Sequence, residues 1–337
     1  MIFLQMMAAN VNRPTLVVLT PVRNEAWILR AFLEATSLWA DHILIADQMS
    51  TDGSREIAQS FPKVLLIDND RKEMHQAATR RLLFEESKKI PGDKILFALD
   101  ADEFLAGDFV HSDDWRKIME SGPNDAFCWR WMNLKKDDIR QYSSFKYYYW
   151  AVHEAEDLWE GEFPDNFIHE WRLPWPPNAR TINLDGLRSL HFARVNRVRQ
   201  QNKERFYQVS TMACQSSTNP IKLFRLYHAE DDLEYYPVPE DAYCFYQAHG
   251  IDLLSLIDLE DEGKYYTESI KRFFDQQGVS RFGLLDIWDQ EWMEKNEVKD
   301  PRRPVHRLIQ WYLSKTNSYR NNKIVKAVDS LLGFIIK

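Results

Sequence analysis

The stretch KILFALDADEF, Lys94 to Phe104, sets an unbroken apolar run against three carboxylates, Asp100, Asp102 and Glu103. Like charges this close resist ionising together unless a cation joins them. Carboxylate oxygens are hard ligands that suit Mg2+ or Mn2+, and either ion also takes diphosphate oxygens. A spacing of two puts Asp100 and Asp102 on one side of an extended segment. The chemistry implied is a divalent metal held at the tip of a buried strand. Acids after a strand can also do no more than cap the next helix, so the position of this tip decides between the two.

Four apolar bursts position it: TLVVLT (15–20), ILIA (43–46), VLLI (64–67) and ILFAL (95–99). They are continuous rather than alternating, as in parallel strands buried on both faces. Helical patterns fill the gaps. In NEAWILRAFLEATSL, Asn24 is placed to cap a helix whose apolar stripe is Ile28, Leu29, Phe32 and Leu33. MHQAATRRLLFEESKK reads as a second helix. Strand–helix alternation at this spacing predicts an α/β fold, an open, mostly parallel twisted sheet with flanking helices. Ligands of such sheets bind beyond the carboxyl ends of the strands. PVRNE, DQMSTDGS and DADEF stand there, with no GxGxxG after the first strand and no GxxxxGK[ST] anywhere. A dinucleotide site and a P-loop of the usual form are thereby excluded. An edge rich in carboxylates and poor in glycine suits a metal-bridged diphosphate.

TPVRNE, DQMSTDG and LDADE, in this order on successive strands, resemble the motifs of family 2 glycosyltransferases with the GT-A fold. The resemblance covers roughly residues 14–105 and continues more weakly to about 210. The middle motif departs from the commoner family form, in which a second acid and a glycine stand where this chain has Gln48 and Met49. Asp47, Ser50 and Asp52 match it, although Asp52 and Gly53 also suit a turn. The LDADE ending is similar to the branch that includes lipopolysaccharide-core and capsule glycosyltransferases.

The resemblance implies roles. Asp47 accepts a hydrogen bond from the nucleotide base; Pro21, Arg23 and Glu25 pack against base and ribose; Arg80, with Arg81 beside it, approaches the nucleotide. Asp102 binds the metal, Asp100 contacts ribose or the metal, and Ala101 between them lines the donor. It also implies a nucleotide-sugar donor, UDP-linked, a Mn2+ or Mg2+ cofactor, a glycan or lipid-linked acceptor and transfer with inversion. A HE pair and a later LHF motif follow the acidic tip in relatives; here they are His169–Glu170 and His191, and His191 is nominated as a further metal ligand. His153–Glu154 is a rival pair. An acceptor-side base must reach the acceptor hydroxyl and cannot itself hold the metal. Glu170 ranks first for that role, Asp165 second, and Glu154 is also a candidate.

Downstream, AFCWRWMN and FKYYYWAV read as a strand pair around LKKDDIRQYSS. Trp129, Trp131, Trp150, Trp159, Trp171 and Trp175 crowd this region, either as core or as an acceptor platform for sugar rings. The basic run Arg194, Arg197, Arg199, Lys203 and Arg205 faces either solvent or a diphosphate. The acidic, proline-bearing HAEDDLEYYPVPED marks a boundary before a mostly helical region. The expected organisation is therefore a nucleotide-sugar half (1–125), an acceptor half (126–228) and a helical region (229–337).

The chain has 337 residues and a net charge of −8, which argues against general nucleic-acid binding. Its three cysteines lie far apart without a CxxC, which suits a reduced, cytoplasmic setting. In the tail, Ile324, Val325, Val328, Leu331, Leu332 and Ile335 form a helical stripe flanked by Arg320, Lys323, Lys326 and Lys337. Such a helix either rests on an anionic membrane face, through residues 320–337, or docks on its own domain. Two other functions remain open on sequence: a non-catalytic nucleotide-sugar or glycan binder with this fold, and a sugar-1-phosphate nucleotidylyltransferase, which would want a glycine-rich loop where TPVRNE stands.

Overall fold

The computed structural model describes residues 13–71, 75–135, 138–156, 158, 172–214, 219–228, 234–259 and 261–336. Two compact units divide the chain, Met1–Asn196 with Tyr235–Glu260, and Arg197–Glu234 with Asp261–Lys337.

In the first unit the four apolar bursts become β1 (Thr15–Val22), β2 (His42–Asp47), β3 (Val64–Asp68) and β4 (Lys94–Ala98), all mutually parallel. Their side chains sort by parity. Leu16, Val18, Ile43, Ile45, Ile95 and Phe97 enter one core cluster. Val17, Leu19, Leu44, Ala46, Leu96 and Ala98 enter another, on the opposite side of the pleat. Apolar surface is needed on both faces, which is why the runs do not alternate. Helix α1 (Ala26–Ser37) buries Ile28, Leu29, Phe32 and Leu33 against the first cluster. Helix α2 spans Ser54–Gln59, and α3 (Gln76–Ser87) brings Leu83 and Phe84 to the second cluster.

Five further strands complete the sheet: β5 (Glu103–Leu105), β6 (Asp125–Lys135), β7 (Asp138–His153), β8 (Arg180–His191) and β9 (Tyr236–Pro237). The order is β3-β2-β1-β4-β7-β6-β8-β5, with β9 on β7. β6 and β7 form the expected antiparallel pair. β7 lies antiparallel to β4, β8 runs parallel to β6, and the short β5 lies antiparallel to β8. Trp129 and Trp150 are fully buried, stacked at 5.5 Å, and hydrogen-bonded to Ser189 Oγ and the Trp129 carbonyl respectively. These two are core, not platform. Trp159 and Trp171 lie outside the described residues.

The second unit is helical among its described residues: α4 (Arg197–Cys214), α5 (Pro220–Tyr227), α6 (Lys264–Gln277), α7 (Gln290–Lys295), α8 (Pro304–Thr316) and α9 (Lys323–Ile335), with short 3-10 turns. Two arginines of the basic run find partners inside it, Arg199 with Asp261 and Arg205 with Asp289. Both are ion pairs within the unit, the second at its solvent-exposed surface. Helix α9 packs Leu332, with the following Ile336, beside Ile221, Phe224, Ile309 and Leu313. Its Asp329 accepts from Arg225 Nε at 2.9 Å.

Candidate functional site

The carboxyl ends of β1, β2 and β4 meet at one edge, and their loops are laced together by side chains. Asn24 Oδ1 accepts from Thr51 N at 2.8 Å, while the amides of Asn24 and Glu25 donate to Ser50 Oγ and Ser54 Oγ. Asn24 therefore does not cap α1. Asp52 does, with Oδ2 accepting from Ala26 N at 3.0 Å while Oδ1 accepts from Ser54 N at 3.0 Å. One carboxylate thus starts two helices, which supports the turn-forming reading of Asp52. Gly53 supplies the left-handed turn between them, with φ +97°. Met49 is also left-handed, at φ 52°, and its side chain is exposed. A residue with a Cβ adopts that conformation only at a cost.

Pro21 closes β1 opposite Ala46, and partly buried Arg23 follows in the loop. Glu25 accepts from Trp27 Nε1 at 2.8 Å and its carbonyl begins the α1 hydrogen-bond ladder. Asp47 ends β2, buried, with Oδ1 lacking any hydrogen-bond partner. Its Oδ2 receives only long contacts, from Ser50 N and Arg55 Nη1, each at 3.4 Å.

The acidic tip is not extended. Glu103 N donates to the Asp100 carbonyl at 3.0 Å, closing a turn that sends the carboxylates apart. Asp100 pairs with Arg80 of α3 through Oδ1, and its Oδ2 accepts from Arg172 Nη2 at 2.9 Å. Glu103, wholly buried, takes a two-pronged guanidinium from Arg172, the Nη2–Oε1 arm at 2.8 Å. Trp131 Nε1 adds a bond to Oε1 at 2.9 Å, and Asp100 N one to Oε2 at 2.8 Å. Arg172 also lies 4.8 Å from the Trp150 ring centroid and 5.3 Å from that of Trp131. Burial alone would depress the Arg172 guanidinium, but Asp100 and Glu103 outweigh it and hold it above its ordinary pKa. For Arg80 burial wins and its pKa falls, and its Nη1 is buried without a hydrogen-bond partner. Two arginines therefore balance two acids at this tip. Ala101 is buried in the first core cluster.

Asp102 turns elsewhere. β5 pairs with β8 so that Glu103 stands opposite His191, and Phe192 N donates to the Asp102 carbonyl at 2.8 Å. His191 Nε2 lies 3.7 Å from Asp102 Oδ1 and 3.9 Å from Glu103 Oε1. Ligand atoms of Asp102, Glu103 and His191 all fall within 4.8 Å of one another. His191 Nδ1 is 2.6 Å from Asn133 Oδ1. That oxygen only accepts, so Nδ1 carries the hydrogen and the Nε2 of a neutral ring presents a lone pair. A separation of 3.7 Å is beyond hydrogen bonding and somewhat wider than the roughly 3 Å between neighbouring ligands of an octahedral Mg2+. Asp102 and His191 could share a hard divalent cation after closing by a fraction of an ångström. Glu103 is already saturated by Arg172 and Trp131.

The rival pair sits at the wrong end. Glu154 pairs with Lys94 at 2.5 Å, and His153 bridges Ser121 and Asp93 at 2.8 and 2.7 Å. Lys94 starts β4, so a rise of about 3.3 Å per residue puts it roughly 13 Å below Ala98 and the site edge. Glu154 is thus held by Lys94 at the end of β4 away from the acidic tip. Asp165, His169 and Glu170 lie outside the described residues. Sequence reasoning missed Arg172, Trp131 and Asn133. A crowd of acids signals a missing cation, and WRLP already offered one in Arg172.

Comparison with solved structures finds distant likenesses. Glucosyl-3-phosphoglycerate synthase from Mycobacterium tuberculosis, in complex with Mn2+, UDP and glucosyl-3-phosphoglycerate, is 17% identical with TM-score 0.28, over 37% of this chain and 46% of that one. GalNAc-T7 with UDP, GalNAc and Mn2+ is 12% identical with TM-score 0.38, over 80% of this chain and 59% of that one. A nucleoside-diphosphate-sugar pyrophosphorylase from Vibrio cholerae RC9 is 11% identical with TM-score 0.31, over 51% and 93%. The chain thus spans less than half the length of the synthase. Comparison with curated proteins finds no match. The family model described as glycosyl transferase family 2 matches residues 17–155, from β1 through β7 and across the acidic tip. Over that segment, less than half of the chain, the protein is similar to glycosyl transferase family 2.

Proposed function

We propose that the protein transfers a sugar from a UDP-linked donor to a glycan or lipid-linked acceptor, with inversion, in surface polysaccharide or lipopolysaccharide synthesis. The observation that carries this reading is the sheet edge of the family 2 segment. There Asp47 keeps a buried oxygen without a partner, Arg80 keeps a buried donor without one, and Asp102 and His191 stand within reach of a shared cation. Asp47 Oδ1 would accept from the base N–H. Pro21, Arg23 and Glu25 would flank base and ribose, with the Asp100–Ala101 backbone beneath the donor. Arg80 Nη1 would meet a donor oxygen, while Asp100 orients that arginine. Asp102 and His191 would hold Mn2+ or Mg2+, which, when bound, neutralises charge developing on the departing diphosphate. Glu170, or Asp165 in its place, would take the acceptor hydroxyl's proton.

Two substitutions separate the donor contacts. Asp102→Asn is expected to remove the Mn2+-dependent part of UDP binding, whereas Asp47→Ala weakens UDP with or without the ion. Calorimetry with UDP, with and without Mn2+, reads both. An Asp102→Asn protein that binds UDP–Mn2+ like the parent refutes the metal assignment. Mn2+-dependent hydrolysis of a nucleotide sugar favours transfer; binding with no turnover favours a non-catalytic binder.

A second contact belongs to the same reading. In α9, Ile324, Leu331, Phe334 and Ile335 are 74, 60, 79 and 68% exposed, lying on one helical face beside Lys323 and Lys326. Asp329 is occupied by Arg225, so the outward charge of the helix is basic. An apolar face edged by lysines is complementary to an anionic membrane surface. No helix among the described residues is long and apolar enough to cross a membrane. Vesicles containing anionic lipid are expected to float the full chain but not one lacking 320–337. Equal flotation of the two removes the contact.

A further inference from the structure

We propose that Asn133 is a positioning residue: its amide oxygen fixes the tautomer of His191, so that the Nε2 lone pair faces the cation expected on Asp102. This rests on the metal-dependent reading above and concerns a residue that reading does not use.

The register of the sheet creates the pair. β6 runs parallel to β8 with Asn133 beside His191, and Asn133 Oδ1 lies 2.6 Å from Nδ1. Asn133 is only 6% exposed, and its Nδ2 is buried with no hydrogen-bond partner. Leaving a buried donor unsatisfied is costly. An apolar residue of similar volume would avoid that cost, so the useful half of this side chain is its carbonyl. The carbonyl accepts and cannot donate, which requires hydrogen on Nδ1 and, in a neutral ring, leaves Nε2 bare.

The ring plane is held independently. Trp131 stacks on His191 with centroids 5.1 Å apart and planes 11° from parallel. Trp131 is itself anchored through Nε1 to Glu103 Oε1 at 2.9 Å. Stacking fixes the plane, Asn133 fixes which nitrogen carries hydrogen, and both leave Nε2 toward Asp102 at 3.7 Å. A histidine needed only for structure would donate Nε2–H to the neighbouring carboxylate. Here that hydrogen is spent on the other side of the ring, as in metal-ligating histidines whose second nitrogen donates to an oxygen.

The test measures Mn2+ affinity of the full chain by calorimetry, for the parent, Asn133→Leu and Asn133→Asp. Loss of the acceptor in Asn133→Leu is expected to weaken Mn2+ about 10–100-fold, with metal-free UDP binding unchanged. Asn133→Asp keeps an acceptor and is expected to retain parental affinity. An Asn133→Leu protein that holds Mn2+ as tightly as the parent overturns the inference. A parent that binds no Mn2+ at all defeats the metal reading itself, which is a separate result. Should Asn133→Leu fail to fold, the nitrogen-15 spectrum of the His191 ring in the metal-free parent decides. Hydrogen on Nδ1 supports the assignment, and hydrogen on Nε2 overturns it.

Discussion

Arg172→Leu is expected to cost about 3–5 kcal/mol of folding stability, because it strips the counter-charge from a fully buried carboxylate. Set against a typical total of about 5–15 kcal/mol, this is a large share. The pairing is two-pronged to Glu103 and reaches Asp100 as well, so Lys, a point charge, replaces it poorly. Asp100 keeps Arg80 in the variant, whereas Glu103 keeps only Trp131 Nε1 and the Asp100 amide. The penalty therefore concentrates on Glu103. Adding Glu103→Met to Arg172→Leu removes the orphaned charge and should recover much of the loss. Urea unfolding of the parent, the single variant and the double variant checks the argument. A single variant within about 1 kcal/mol of the parent would show that water or a rearranged side chain already serves that carboxylate.

The second large effect is on turnover. Glu170→Gln is expected to lower kcat about 10²–10⁴-fold, the range for losing a general base. Metal-dependent UDP affinity and folding should remain close to parental, because the donor contacts proposed above do not include it. The chemistry requires a group opposite the leaving diphosphate and free of the metal. The described acids of the tip suit that role poorly on the proposed reading: Asp100 and Glu103 are held by arginines, and Asp102 is the proposed metal ligand. Glu154 suits it poorly by position, paired with Lys94 at the start of β4. Glu170 and Asp165 are what remain of the sequence candidates. Measuring kcat and UDP affinity for Glu170→Gln and Asp165→Asn assigns the role. Near-parental kcat in Glu170→Gln ends its candidacy, and a collapse confined to Asp165→Asn transfers it.

The sheet was legible because burial on two faces writes itself as continuous apolar runs, and β1 to β4 fall where those runs fall. The candidate edge was legible because the acidic loops follow β2 and β4, and the structure sets Asp47, Asp100 and Asp102 at those strand ends. What escaped depends on pairings distant in sequence. The three residues of β5 are too few to show a period, yet their bond to β8 bends the tip and separates Asp100 from Asp102. The helix cap expected from Asn24 comes from Asp52, since either side chain is competent and only the folded loop chooses. The boundary drawn at the acidic proline-bearing run follows composition, whereas compactness returns Tyr235–Glu260 to the first unit through β9 on β7. The tryptophans divide by depth, which spacing along a strand does not reveal.

The balance of two arginines against two acids bears on how the protein would spend its working cycle. Because guanidinium groups from Arg80 and Arg172 already quiet the crowded tip, the fold does not wait for an ion to assemble it. Metal-coupled folding arises where ligands are otherwise unsatisfied, and here Asp100 and Glu103 are already met by arginines. On the proposed reading, a cation held by Asp102 and His191 alone would be completed by oxygens of the diphosphate. It would then arrive with the diphosphate and depart with it, while Asp100 and Glu103 stay paired to their arginines.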